Sequence, residues 1–231
     1  MAVVNSISDD SFDPPVSGFV HFPENANGDA LILTHGAGSN CNAPLLVALS
    51  EVFAGHGYTV LRCDLPFRQD RRTGPPFPGN AERDRAGLRS AVAAMNKTSD
   101  GSIFLGGHSY GGRQATMLCA SEPELVAGLL LLSYPLHPPR KPDQRRVEHL
   151  PKLRTTSLFV HGTRDPFGSP EEVERALKLI PVRTELLKVE GAGHDLGFKG
   201  KTRMEELPRR IFSAFTAMLR REEAGPSLRS G

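Results

Sequence analysis

With 231 residues, 39% of them hydrophobic and 23% charged, the chain has the composition of one globular domain with a sizeable core. The formal net charge of +2, with acidic and basic residues interspersed, offers no footprint for nucleic acid. No apolar run approaches the roughly 20 residues of a membrane span, and the polar, acidic start lacks the regions of a signal peptide. Three cysteines, Cys41, Cys63 and Cys119, have no metal-ligand spacing and read as reduced thiols. The expectation is a cytoplasmic protein that binds neither metal, nucleic acid nor membrane. No motif sets an oligomeric state.

In chain order, short apolar runs alternate with helical patterns, which predicts an α/β protein with a mainly parallel sheet. Residues 16–22 read as an early, antiparallel strand, and 30–34 as a strand covered on both faces. Asn42 is a candidate cap for a helix through Gly55, with Leu45, Leu46, Leu49, Val52 and Phe53 on one stripe. Residues 58–63 form the next strand, and its exit, 64–67, cannot remain regular. The Arg-, Pro- and Gly-rich stretch 68–79 reads as a long loop. Asn80 opens a helix that buries Leu88, Ala91, Val92 and Met95. A strand and helix around Ser109 follow, with Cys119 in that helix. Residues 126–133 are the most apolar strand and are expected at the centre. A second long polar loop covers 134–150, and 156–161 are a strand. Ser169, Pro170 and Glu172 form a capping box for a helix to about Ile180. Residues 183–189 are the last strand. Thr202 and Glu205 form a second capping box before a helix burying Ile211, Phe212, Phe215, Met218 and Leu219. Residues 1–221 are expected to be one domain, and 222–231 a disordered tail.

The chemistry centres on Gly107-His108-Ser109-Tyr110-Gly111, preceded by an apolar run and followed by a helix. A strand that turns into a helix within a few residues leaves the serine on a strained corner with its Oγ exposed. Gly107 and Gly111 would keep side chains out of that corner, with Gly106 and Gly112 as spare small neighbours. The plain alternative is a Gly-rich turn; a phosphate loop is disfavoured because Gly111 is not followed by Lys. A serine hydroxyl needs a base and a group that orients the base. Asp165 lies in a turn four residues past the strand ending at His161, the place for the acid; its alternatives are a turn residue or a partner of Arg164. His194, in the Gly-rich loop after the last strand, has the place of the base. None of the seven other histidines has that placement, though His137 and His149 are candidate substrate contacts. Asp195 is the rival acid. The oxyanion donors would be the N–H groups of Tyr110, at a helix start, and Ala37, in His35-Gly36-Ala37-Gly38 after a buried strand.

The order His-Gly-x-Gly, Gly-x-Ser-x-Gly, Asp, His resembles that of the α/β-hydrolase superfamily and spans nearly the whole chain. The blocks Asp64-Leu65-Pro66-Phe67-Arg68, 134–139 and 161–168 are similar to a small, lidless, dienelactone-hydrolase-like branch with eukaryotic testis-expressed and chromatin-complex relatives. The resemblance implies an α/β-hydrolase fold: a doubly wound, mostly parallel sheet of seven or eight strands with no large cap domain. It also implies Ser109 as nucleophile, Asp165 as acid and His194 as base. True dienelactone hydrolases use a cysteine nucleophile, so their substrate is not carried over.

The expected function is that of a serine hydrolase, acting without cofactor on an ester or related acyl bond of a small or soluble acyl substrate. The alternative from another class is a catalytically silent binding or scaffold domain that keeps the corner as structure. Arg68, Arg71, Arg72, Arg140 and Lys141 lie in the two long loops expected to overlook Ser109, and arginine forks suit carboxylates and phosphates. A preference for anionic esters follows from that placement. The alternative is that these are surface arginines pairing with Asp70, Glu82 and Asp84.

Overall fold

The computed structural model describes residues 2–198 and 206–223. Its frame is an eight-stranded sheet in the order β1-β2-β4-β3-β5-β6-β7-β8. The strands are β1 (Val3–Asp9), β2 (Val16–Phe22), β3 (Ala30–Thr34), β4 (Thr59–Cys63), β5 (Ile103–His108), β6 (Gly128–Leu132), β7 (Ser157–Gly162) and β8 (Thr184–Val189). β1 and β2 pair antiparallel at one edge, as does β2 with β4; every pair from β4 to β8 is parallel. β3, β4 and β6 are buried at every residue, which is why β3 and β6 are nearly continuous apolar runs rather than alternating ones; β4 also buries Arg62.

Helices cover both faces. α1 (Pro44–Gly55) and α6 (Leu207–Glu223) close one core around Phe53, Phe104 and Phe215. α3 (Asn80–Asn96), α4 (Tyr110–Ser121) and α5 (Pro170–Leu177) close the other around Leu88, Leu105 and Leu131. Cys41, Cys63 and Cys119 are free and buried. No helix among the described residues is long and apolar enough to cross a membrane, and no cap domain is inserted between the elements.

The chain leaves β3 for β4 on one side and then returns to β5 on the other. The C-terminal ends of β3 and β5 therefore border the crevice where the winding direction reverses, the usual ligand position in such sheets.

Five local expectations change. β1 was not predicted: it is an edge strand whose side chains are mostly exposed, so it carries no hydrophobic alternation and is held by its seven-residue register with β2. Within the predicted irregular exit and loop stands a one-turn helix, α2 (Pro66–Asp70). Asn42 does not cap α1; Ala43 precedes its first residue, and Asn42 Oδ1 accepts from Arg62 Nη1 at 3.1 Å. β6 is interior, but β3 and β5 hold the middle of the sheet. α5 ends at Leu177 rather than Ile180, although its capping box forms as expected, with Glu172 N–H donating to Ser169 Oγ at 3.3 Å and Ser169 N–H to Glu172 Oε2 at 2.9 Å. The capping box expected at Thr202 and Glu205 lies outside the described residues. So does the predicted tail beyond Glu223; α6 itself runs two residues past the expected boundary.

Phe215 is fully buried and meets the Phe104 ring edge-on at 5.3 Å and the Phe53 ring at 5.9 Å. Phe215→Ala should therefore cost about 3–5 kcal/mol of unfolding free energy in a urea titration. A loss below about 1 kcal/mol would mean that α6 is not seated on this core.

Candidate active site

Ser109 joins β5 directly to α4 and has φ 52° and ψ −113°, the left-handed side of backbone space where a non-glycine residue is strained. Close backbone approach holds that corner. A Cβ on Gly107 would lie 2.6 Å from Gly112 N, and one on Gly111 would lie 2.6 Å from His35 O. Gly106 and Gly112 are not spare: a Cβ there would meet Leu130 O at 2.7 Å and Gly107 O at 2.6 Å.

The other two side chains arrive from loops past β7 and β8. Asp165 sits in a turn closed by its own N–H to Gly162 O at 3.2 Å, and its Oδ1 accepts from Phe167 N–H at 2.9 Å. His194 Nδ1 lies 2.8 Å from Asp165 Oδ2 and 3.0 Å from Oδ1, while its Nε2 lies 2.7 Å from Ser109 Oγ. The acceptor-only carboxylate requires Nδ1 to carry the proton, so Nε2 accepts from the serine hydroxyl. The Asp165 carboxylate is fully buried, which strengthens its hold on the ring. The Phe167 ring packs 4.1 Å from the imidazole, and His108 Nε2 donates to His194 O at 2.7 Å. Asp195 Oδ1 accepts from Gly197 N–H at 3.2 Å.

The loop after β3 approaches the same corner. A Cβ on Gly36 would come within 3.0 Å of His108 Nδ1 and 3.3 Å of Ser109 Cβ. His35 is fully buried, and burial pushes its pKa down. The neutral ring donates through Nδ1 to Gly36 O at 2.9 Å and accepts Leu65 N–H through Nε2 at 3.1 Å. Among the described residues, no backbone carbonyl takes the N–H of Ala37 or of Tyr110, the first residue of α4.

A cavity of about 280 Å³ opens beside Ser109 and His194. Its wall is mainly apolar, from Ala37, Pro44, Leu45, Leu46, Phe167 and Phe198, with Asp195 also on it. Leu45 and Leu46 follow Pro44 at the start of α1; in the sequence they read only as core, and the wall they make was missed. So was Phe198.

None of the predicted substrate contacts Arg68, Arg71, Arg72, His137 and Arg140 lines this cavity. Arg68 is buried, and its guanidinium is bonded to carbonyl oxygens. Arg71 donates to Pro75 O and lies over the Phe77 ring at 4.2 Å. Arg72 and Arg140 are exposed. His137 is buried between Pro138 O, at 2.9 Å, and Glu172 Oε2, at 3.5 Å. His149 Nε2 meets Thr116 Oγ1 at 2.8 Å. Asp84, expected as a surface partner for arginines, is fully buried, and burial raises its pKa. It accepts from Phe67 N–H at 3.0 Å and from the Tyr110 hydroxyl at 2.7 Å. Among the described residues no group of three His, Cys, Asp or Glu side chains could hold a metal ion.

A family model described as an alpha/beta hydrolase domain matches residues 27–218. Among solved structures, the chain is similar to a dienelactone hydrolase from Anabaena variabilis, with 19% identity and a TM-score of 0.74 over 94% of this chain and 98% of that one. It is also similar to XC6422 from Xanthomonas campestris, described as an α/β serine hydrolase without lid, with 16% identity and a TM-score of 0.70 over 94% of each chain. Est1E from Butyrivibrio proteoclasticus matches with 17% identity and a TM-score of 0.69 over 94% of this chain and 99% of that one. With the family model spanning residues 27–218, most of its length, the chain belongs to the alpha/beta hydrolase family.

Proposed function

We propose that the protein is a serine hydrolase that cleaves carboxylic esters of small, neutral substrates through an acyl-enzyme. The observation that carries this reading is the unbroken hydrogen-bonded chain from Asp165 through His194 to Ser109 Oγ, at 2.8 Å and 2.7 Å. Ser109 Oγ attacks the ester carbonyl carbon while His194 Nε2 takes its proton. Asp165 keeps the tautomer and stabilises the imidazolium. The Ala37 and Tyr110 N–H groups hold the oxyanion. As the tetrahedral intermediate collapses, the C–O bond to the leaving alkoxide breaks and His194 returns the proton to it. Water, deprotonated by the same histidine, attacks the acyl-enzyme; collapse releases the acid and restores the serine hydroxyl. A reducing, cytoplasmic setting belongs to the same reading, since the three cysteines are free thiols.

The substrate class follows from the cavity. Its wall is mainly apolar, includes the Asp195 carboxylate and includes no lysine or arginine. A neutral acyl or alcohol group suits it, whereas an anionic one would lose its hydration beside a like charge. This replaces the anionic preference expected from the sequence.

Ser109→Ala should lower kcat on the order of a millionfold, as loss of the nucleophile does in subtilisin, and abolish labelling by a fluorophosphonate probe with an unchanged circular dichroism spectrum. Equal labelling of the variant would remove Ser109 from the role. Asp165→Asn should lower kcat by about ten-thousandfold, the size of the same change in a serine protease, and Asp195→Asn should cost far less; the reverse ranking would make Asp195 the acid. For a matched pair of esters of equal size, kcat/KM should favour the neutral one by at least about tenfold, and Asp195→Asn should narrow the gap. A wild-type preference for the anionic ester would sink the assignment of the cavity as its acyl or alcohol site.

A further inference from the structure

The guanidinium of Arg68 is buried, with the residue only 6% exposed, and it makes four hydrogen bonds, all to carbonyl oxygens. Nε donates to Ser39 O at 2.7 Å and Nη2 to Ala37 O at 3.0 Å. Nη1 donates to Arg71 O at 3.0 Å, and Nη2 also to Gly74 O at 2.9 Å. Two of these acceptors belong to the loop after β3 and two to the loop after α2. A planar fork with five donors can tie both loops at once; a lysine ammonium on a flexible stem cannot hold the same set.

Ala37 carries one of the two N–H groups assigned to the oxyanion; the Ala37 carbonyl belongs to the next peptide unit, so bonds to the carbonyls of residues 37 and 39 brace the loop from the C-terminal side of that donor, while His35 Nδ1 holds Gly36 O in the donor's own peptide plane. The second donor is tied to the same short helix. Phe67, in α2 beside Arg68, donates its N–H to Asp84 Oδ1, and Asp84 Oδ2 accepts from the Tyr110 hydroxyl. α2 is anchored in turn: a Cβ on Gly87 of α3 would lie 2.5 Å from the Pro66 ring, and Gln69 Nε2 donates to Pro15 O at 3.1 Å and Asp64 O at 2.8 Å. One helical turn thus braces the loop that carries Ala37 and the residue that carries the Tyr110 N–H.

We propose that Arg68 is a positioning residue for ester hydrolysis: through the carbonyls of Ala37 and Ser39 it holds the Ala37 N–H in register with the Tyr110 N–H, where negative charge develops on the substrate oxygen. The role rests on the acyl-enzyme reading above. An oxyanion donor acts on the transition state more than on the bound ester, and only if it is oriented beforehand. Loss of Arg68 therefore slows the chemical step without weakening substrate binding.

The test uses the full chain, with Arg68→Lys, Arg68→Gln and Tyr110→Phe, assayed at a temperature where circular dichroism shows each folded. Tyr110→Phe cuts the link to Asp84 but keeps the backbone N–H, and so reads the same brace if both Arg68 variants fail to fold. Arg68→Lys should lower kcat by about a hundredfold, the cost of a misplacement near 1 Å, with KM nearly unchanged. The inhibition constant of a trifluoromethyl ketone analogue of the ester should rise by the same factor, because the analogue forms the tetrahedral oxyanion. Tyr110→Phe should move both quantities the same way, and a variant carrying it with Arg68→Lys should lose less than the product of the two single losses. Melting temperatures that fall while kcat and the analogue constant stay at wild-type values would overturn the role, as would a loss of kcat with analogue affinity unchanged. If wild type neither turns over a neutral ester nor reacts with a fluorophosphonate, the acyl-enzyme reading itself fails and the role falls with it.

Discussion

The structure depends on one steric constraint: three stretches of backbone meet at the corner between β5 and α4 with no room for a Cβ. Gly107 lies against the first turn of α4, and Gly111 lies against the carbonyl of His35 at the end of β3. That contact forces Ser109 to φ 52° and brings the loop carrying Ala37 beside it. Without the glycines the helix would stand off the sheet, and the serine and the loop would separate together. The strain at one residue is held by two packed helical layers and a sheet buried on both faces.

Strand spacing then sets what the remaining loops must do. β7 is two strands from β5 and β8 is three, so at about 4.8 Å per strand their ends lie roughly 10 and 14 Å away. Side chains do not span that distance; the loops lean back over β6. Asp165 does so in a tight turn closed onto Gly162, and His194 in a Gly-containing loop whose backbone carbonyl is caught by His108. The residue before the serine thus ties the histidine loop to the strand that carries Ser109, and Phe167 packs against the imidazole ring.

Polar groups buried around this corner are matched in ways that leave little loose charge. His35 is neutral and bridges Gly36 to Leu65. Asp84 receives a backbone N–H and a phenol. Arg68 gives its donors to carbonyl oxygens rather than to a carboxylate. A buried guanidinium bonded to four carbonyls is rigid, because each lost bond would leave an unsatisfied polar group. Beside this polar framework the cavity wall is apolar. The site thus combines a mainly apolar wall with fixed dipoles beneath it.

The sequence by itself determined the elements whose cause is local or repeated along one segment. Apolar runs marked β3 and β6 because burial on both faces leaves almost no polar position. Glycines on either side of Ser109 marked the corner, since close approach allows nothing larger there. Asp165 and His194 could be named because parallel topology sends the ends of later strands to one edge. Only the tertiary structure decided the rest, because its causes join residues that are distant in sequence and chemically ordinary. β1 exists through ladder bonds to β2, which leave no pattern in its own side chains. Arg68 read as an anion contact or a surface arginine, and Asp84 as its possible surface partner, until Tyr110, Ala37 and Ser39 were folded against them, 26 to 31 residues away. A charged residue in a loop reads the same whether water or four carbonyls surround it; only the packing of α2 between the two loops distinguishes them.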